Sequence, residues 1–394
     1  MDYIMDDLIY KFDQSTGVLY ISGSGTSVDS VSVNRAIGRY SESAENTTLH
    51  SVDFRRATNI KTIAERAFIR CTNLENIILP ESIISINDLA FYKCINLTGN
   101  LFLPDSLINI GEAAFAYCSK LTGELVFPKN LLFIGNNAFR FCSGFSGALI
   151  IPKNIEKIDY WTFKGCTGFT SLDFSNCTKL FSIEDWAFRD CSSISGKLDL
   201  PSSLTFIGES AFRDCSNLDG DLVLPANITT LGIKSFWGCI NIKTVDLTNC
   251  LSLQSIDDLA FRDCTNLNLV LLPKNLNNIG NWSFHGCTSL AKVICLCLEC
   301  PNMTYGSFSE CWNLDLVFVP NASKGFETKR WWAKKVEYGL TKKKETIKTK
   351  PDKLHVGNLE EFWETPLCFW SLKELPGYTY SIKKKAWWKS KNKS

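Results

Sequence analysis

One short motif, a phenylalanine followed three positions later by a cysteine, recurs eleven times in this chain at a nearly constant interval. Successive cysteines of the motif are 23 to 25 residues apart. The pairs are Phe68/Cys71, Phe91/Cys94, Phe115/Cys118, Phe139/Cys142, Phe163/Cys166, Phe188/Cys191, Phe212/Cys215, Phe236/Cys239, Phe261/Cys264, Phe284/Cys287 and Phe308/Cys311. A fixed period of this length marks stacked repeats, because one unit alone is too small to bury its apolar side chains. The 394 residues therefore predict one long array in place of several globular domains.

Each repeat also contains a strand before its Phe-Cys motif. Segments such as GELVFP and GDLVLP alternate with the period of two that is typical of a short strand with one buried face. A proline usually follows, where a residue without an N–H ends the strand at little cost. The spacing of Phe and Cys then predicts a helical or 3₁₀ turn that points both side chains inward. Each coil should thus supply one strand and one tight turn.

This unit resembles the BspA-like leucine-rich repeat, which reads approximately LxxIxLPxxLxxIGxxAFxxC. Residues 52–320 carry the pattern, as in LPSSLTFIGESAFRDC at 200–215. The resemblance implies a leucine-rich-repeat solenoid, mainly β with short helical or 3₁₀ turns, in which about 11–12 coils form a parallel sheet on one face. Three units depart from the pattern because they lack the proline; they lie at 52–57, 172–177 and 245–250.

The pattern divides the chain into three parts. Residues 1–45 include IYKFDQSTGVLYISGSG, which is similar to the β-hairpin cap that precedes such arrays. The array covers residues 46–322. Residues 323–394 begin with KGFETKRWWAKK, which is similar to a short exit helix, and continue as a basic tail rich in tryptophan and lysine. From Lys324 onward there are 18 Lys/Arg and 8 Asp/Glu, against 24 and 33 before it, so a basic tail follows an acidic body.

The cysteines have three interpretations. Cys295, Cys297 and Cys300, with Cys311 or Cys287 as a fourth ligand, have the thiolates that zinc accepts, but at an irregular spacing. Disulfides between the motif cysteines are geometrically unfavourable, because the cysteines of adjacent coils would stand side by side about 4.8 Å apart. We expect small, buried, free thiols and no metal site.

The sequence contains no arrangement typical of an enzyme. Its three histidines, His50, His285 and His355, are scattered, and it has neither a GxxxxGK phosphate loop nor a GxSxG turn. We therefore expect a non-enzymatic protein without a cofactor or a small-molecule substrate.

The outward strand position, between two buried ones, is the best candidate for a binding surface. Read along the array, it forms an apolar strip followed by an acidic zone on what should be the concave face. The candidate ligand-binding residues are Ile78, Phe102, Val126, Ile150, Asp173, Asp199 and Asp246. Alternatively, outward β-branched residues only favour strand geometry and the aspartates are merely solvated. As a site, this surface would suit a protein or peptide ligand.

Two hypotheses about function follow. The resemblance implies a surface or secreted adhesin-like protein that binds a protein or matrix ligand. The alternative is an intracellular interaction module whose tail, residues 341–394, contacts an anionic membrane or nucleic acid through lysines and tryptophans. Neither a signal peptide nor a transmembrane segment is evident, so the sequence is compatible with a cytoplasmic protein as well as with a cell-surface one. The tail could also be a poorly ordered, solubilising segment.

Overall fold

The array begins with an antiparallel β-meander. The computed structural model describes residues 2–39, 41, 44–304, 306–326, 331, 333–342 and 378–380. Its first elements are β1 Tyr3–Met5, β2 Leu8–Asp13, β3 Val18–Gly23, β4 Ser27–Val28 and α1 Ser30–Ala36. Strands β2 and β3 form the predicted hairpin, which turns at Gly17, where φ is 68° and the N–H donates to Asp13 O at 2.8 Å. The division of the chain into three domains stays a prediction.

The repeat strands form a first row along the solenoid, and β3 joins it by parallel pairing with β5. Most pairs within the row are parallel strands of consecutive coils, and isolated bridges such as Gly196 with Leu218 occur between others. The row consists of β5 Ser51–Ala57, β7 Asn76–Ile77, β9 Gly99–Asn100, β11 Leu121–Thr122, β13 Gly147–Ile150, β15 Phe169–Asp173, β18 Gly220–Val223, β20 Ile242–Asp246, β22 Leu269–Leu272, β24 Lys292–Cys295 and β26 Leu316–Pro320.

A second row of parallel strands of two residues each begins at β4. Its first residue in most coils is polar, and its second, such as Ile110 or Ile207, is buried. The row continues through β6 Thr62–Ile63, β8 Ser85–Ile86, β10 Asn109–Ile110, β12 Phe133–Ile134, β14 Lys157–Ile158, β16 Ser182–Ile183, β17 Phe206–Ile207, β19 Thr230–Leu231, β21 Ser255–Ile256, β23 Asn278–Ile279 and β25 Asn302–Met303. The predicted solenoid is therefore confirmed, but most coils add a second short strand to the single strand that the sequence predicted.

The Phe-Cys turns form a third ladder of hydrogen bonds between coils. Within a turn, the N–H of Cys118 donates to Phe115 O at 3.1 Å, the i to i+3 bond expected of a 3₁₀ turn. However, Ala113 and Tyr117, two residues before and after Phe115, have φ of 51° and 68°. These two left-handed residues turn the N–H of Phe115 toward the next coil, where it donates to Ala138 O at 2.9 Å. The turns are therefore not helical, and they link neighbouring coils.

The core is a continuous stack of the ladder phenylalanines. Consecutive rings lie 4.9 to 5.8 Å apart and nearly parallel, and Trp331 follows Phe308 at 5.1 Å. The cysteine of each coil lies beside this stack, and its thiol donates to the phenylalanine carbonyl of the coil before it, as Cys142 Sγ does to Phe115 O at 3.1 Å. The predicted buried thiols are confirmed, and those from Cys94 onward each join two coils.

Arg39 covers the open end of the array after α1. Arg39 is 7% exposed. It donates to the carbonyls of Ser41 at 2.9 Å, Ala44 at 2.6 Å and Ile69 at 2.5 Å. Because Ile69 belongs to the first Phe-Cys turn, Arg39 satisfies a carbonyl that has no preceding coil to bond with.

At the other end, two further strands extend the first row. Strand β27, Lys335–Lys342, pairs in parallel with β26, and β28, Tyr378–Tyr380, pairs antiparallel with β27. Residues 327–330 and 332 of the exit helix expected after Lys324 lie outside the described residues. So does most of the segment 341–394 that was predicted to contact membrane or nucleic acid. Among the residues that are described, no helix has the length and apolar content needed to cross a membrane.

Candidate functional site

The predicted apolar strip is exposed along the first row. Ile150 lies on β13, and Ile78, Phe102 and Val126 lie in the segments that follow β7, β9 and β11. The exposed fractions of Ile78, Phe102, Val126 and Ile150 are 80%, 76%, 65% and 50%. The residues on either side of them contact the core; Leu149 and Ile151, for example, are fully buried. Since inward and outward positions alternate along a strand, these four side chains share one face across four consecutive coils. We call them the apolar strip.

Exposed apolar side chains continue onto the N-terminal meander, where sequence reasoning did not look for them. Ile4 pairs with Ile9 across β1 and β2, and Tyr20 of β3 pairs with Asp53 of β5. Ile4 is 67% exposed, and Ile9 and Tyr20 are more than a third exposed. The alternation in LIYKFD, with Leu8 and Tyr10 buried, was the signal that could have identified Ile9. The exposed apolar surface thus begins before the first repeat.

Apolar residues at the outward strand positions near the C-terminal end of the array are not exposed in the same way. Leu271 and Ile294 are paired across β22 and β24 and would be exposed if the strip continued. They are instead buried, and together with Leu296 they form a small apolar cluster apart from the main core. Phe318 contacts this cluster and is only partly exposed. The exposed strip is therefore confined to the N-terminal coils of the array.

The predicted acidic zone consists of carboxylates with separate local roles. Asp173 accepts a hydrogen bond from the N–H of Ser175 at 2.7 Å, and Asp246 accepts one from the N–H of Thr248 at 2.9 Å. Each closes a turn after its strand in a unit that lacks the proline. Asp199 is exposed and forms an ion pair with Lys197 at 2.6 Å. Asp173 and Asp246 therefore have structural roles already, and their role in ligand binding stays a prediction.

Burial makes the ladder cysteines unreactive, and the described C-terminal cysteines form no metal site. Cys295 and Cys297 are buried, Cys300 is half-buried, and among the described residues no group of three His, Cys, Asp or Glu side chains is arranged to hold a metal ion. Burial raises the pKa of the Cys191 thiol to about 12, and burial also raises that of Cys71 to about 12. Since the thiolate is the nucleophile and the metal ligand, such thiols are inert near neutral pH.

The stacked coils, with strands in two parallel rows and one Phe-Cys turn each, define a leucine-rich-repeat solenoid. A family model described as BspA type leucine rich repeat region matches residues 37–147, 134–252 and 248–332, with six copies. These residues make up more than half of the chain. The protein therefore belongs to the BspA type leucine-rich-repeat family.

The chain is similar to several solved structures, and the first of those named here shows the same fold. The chain is 21% identical to a leucine-rich repeat protein from Bacteroides ovatus, with a TM-score of 0.52 over 86% of this chain and 100% of that one. It is 16% identical to a leucine rich cell surface protein from Faecalibacterium prausnitzii, with a TM-score of 0.42 over 86% and 94%. It is 18% identical to the pneumococcal vaccine antigen PcpA, with a TM-score of 0.45 over 83% and 89%. No protein with a curated description matches the chain.

Proposed function

We propose that this protein is a surface or secreted adhesin-like scaffold that binds a protein or peptide ligand on the apolar strip. The observation that carries the proposal is the exposure of four apolar side chains on consecutive coils, at positions where the first row has a free outward face. Monomeric proteins rarely leave such contiguous apolar surface in water unless another molecule covers it. Adhesion is the function that the family resemblance suggests.

The shape of the strip favours a macromolecule. Four coils span roughly 15 Å at about 4.8 Å per strand, and the side chains form a row along the surface. Small molecules usually bind in concave pockets that surround most of their surface. Burying an exposed Phe102 or Ile78 beneath a ligand would contribute about 1.5–3 kcal/mol each before the costs of association. Such a row suits an extended peptide or a protein edge with apolar side chains.

A non-enzymatic role also agrees with the fold. Leucine-rich-repeat solenoids are of a kind that serves as a scaffold. The described histidines, His50 and His285, lie near Glu75 and Glu310 respectively, at 3.6 and 3.7 Å, and on different coils. His285 Nδ1 also lies 2.7 Å from Ser309 Oγ, but that hydroxyl donates to Gly306 O at 2.9 Å and so does not give its proton to the ring. We therefore assign no catalytic role to these histidines.

The proposal is tested by binding the full-length protein to immobilised matrix proteins, for example fibronectin and collagen. The variant Phe102→Asp with Val126→Asp should spare the core, because both side chains are exposed, and should weaken binding at least about tenfold by placing charge in the apolar contact. The matched control is Leu132→Asp with Leu251→Asp, two exposed apolar residues outside the strip. Equal affinity of both variants for a matrix protein that the wild type binds would contradict the proposal.

A further inference from the structure

The Phe-Cys turns carry a second surface, which is separate from the apolar strip. Side chains that flank the ladder phenylalanines and are only half-buried include several aromatic rings and cations on neighbouring coils. We call this set the turn ladder; it consists of Tyr92, Lys93, Tyr117, Arg140, Phe141, Trp161, Lys164, Trp186 and Arg189. The first row and the turn ladder lie on different segments of each coil, so the two surfaces do not share residues.

The aromatic rings of the turn ladder hold its cations in place. Lys93 Nζ lies 5.5 and 5.6 Å from the ring centres of Tyr92 and Tyr117. Arg140 Cζ lies 5.1 Å from the ring of Phe141 and 5.9 Å from that of Trp161. These are distances at which a ring attracts a cation through its quadrupole. Lys93 and Arg140 are therefore positioned without acidic partners, whereas Arg189 lies 3.5 Å from Asp190.

The charges are unbalanced in this part of the ladder. Within the described part of the chain, no carboxylate lies within ion-pair distance of Lys93, Arg140 or Lys164, and the buried Nε of Arg140 has no hydrogen-bond partner. Burial, followed by the nearby Arg189 and Arg140, lowers the pKa of Lys164, although Asp190 opposes this effect. An anion bound here would relieve the repulsion between these cations.

Farther along the same ladder, the cations are neutralised. Arg213 Nε lies 3.0 Å from Asp214, and Arg262 Nε lies 3.3 Å from Asp263. Both guanidinium groups also lie over the ring of Trp237. Aromatic contacts thus occur in both parts of the ladder, whereas carboxylates compensate Arg213 and Arg262 only in the later coils. The excess positive charge is therefore local to the coils around Lys93, Arg140 and Lys164.

We propose that Lys93, Arg140 and Lys164 form a binding site for a linear sulfated polysaccharide. From Lys93 to Lys164 the site crosses three coil intervals, roughly 15 Å at about 4.8 Å each, which suits a chain with repeated anionic groups. The ligand is recognised by charge, because Arg140 and Lys164 present donors but no acceptor. This proposal is independent of the apolar strip and its protein ligand.

Two structural features favour a polysaccharide over other polyanions. Nucleic acid would need free ring faces on which bases stack, but Trp161 and Trp186 stack on each other at 4.9 Å and the other rings lie against cations. An extended peptide would need free main-chain donors, but the N–H groups of Tyr117 and Phe141 already donate to the next coil at 2.7 Å. A sulfated chain needs neither free ring faces nor free main-chain donors.

The test uses heparin as a sulfated probe and the full-length protein, measured on a biosensor over a series of salt concentrations. The test variant combines Lys93→Gln, Arg140→Gln and Lys164→Gln. The control combines Lys129→Gln, Lys153→Gln and Lys274→Gln, three exposed array lysines with the same charge change. The basic tail is unchanged in both variants, so its contribution to heparin binding is common to both.

We expect the test variant to bind heparin at least about tenfold more weakly than the control, and the slope of log affinity against log salt to fall by about two to three, since each lost contact removes nearly one unit. Equal loss in both variants would overturn the proposal, because heparin would then contact the tail or the general surface. Tighter binding of poly(U) RNA than of heparin would refute the polysaccharide assignment. If the triple variant melts early, single Lys93→Gln and Lys164→Gln variants must each lower the slope.

Discussion

Replacing Phe212 with alanine should destabilise the middle of the array while leaving distant coils protected. The Phe212 ring is fully buried and stacks on Phe188 at 5.3 Å and on Phe236 at 5.2 Å. Loss of a core phenylalanine costs about 3–5 kcal/mol, depending on how far the site collapses. Collapse is restricted here, because the N–H of Phe212 donates to Ser235 O at 2.8 Å and Cys239 Sγ donates to Phe212 O at 3.1 Å, which keeps the coils apart. We therefore expect a loss near the upper end of that range.

Amide hydrogen exchange followed by mass spectrometry measures this loss coil by coil. Exchange should accelerate around Phe188, Phe212 and Phe236, whereas the coils around Phe91 should keep their protection, because each coil contacts only its neighbours. The matched control is Phe102→Ala, whose ring is exposed and whose loss should cost less than about 0.5 kcal/mol. A loss below about 1 kcal/mol for Phe212→Ala, or equal acceleration along the whole chain, would refute the nearest-neighbour description.

Two further predictions concern the end of the array and its thiols. Arg39→Met should lower stability by about 2–4 kcal/mol, because the buried carbonyl of Ile69 and two partly buried carbonyls lose a charged donor. Urea unfolding followed by circular dichroism measures this, and an unchanged midpoint would contradict the role of Arg39. Burial raises the pKa of Cys191 from 9.0 to about 12, so its folded thiol keeps a proton that the unfolded chain releases. The stability present below pH 9 should therefore fall as pH rises toward 12. Alkaline titration of thiolate absorbance, taken as the difference between the wild type and Cys191→Ala, should show release only with unfolding. A simple titration of this difference near pH 9 in the folded state would contradict the prediction.

The repeat itself was predictable from sequence. A period of 23 to 25 residues requires neighbouring coils, and the strand period of two within each coil assigns the inward and outward positions. This reasoning identified the buried Phe-Cys pairs and the exposed positions of Ile78 and Phe102 correctly. It also identified the hairpin before the array, because GVLYISG alternates in the same way as the repeat strands.

Other features depend on which residues become neighbours after the coils stack. Residues about 24 positions apart lie side by side only in the solenoid, so the ladder of cations and rings around Arg140 could not be recognised from local sequence. Local spacing also predicted a 3₁₀ turn, whereas inter-coil hydrogen bonding favours left-handed residues such as Tyr117.

The sequence by itself determined the period, the core and the direction of each strand residue, since these follow from where apolar side chains recur along one chain. Only the tertiary structure decided that Ile294 is buried where Ile150 is exposed, and that Asp173 closes a turn. The physical reason is that burial and pairing depend on the atoms opposite a side chain, and in a solenoid those atoms belong to other coils.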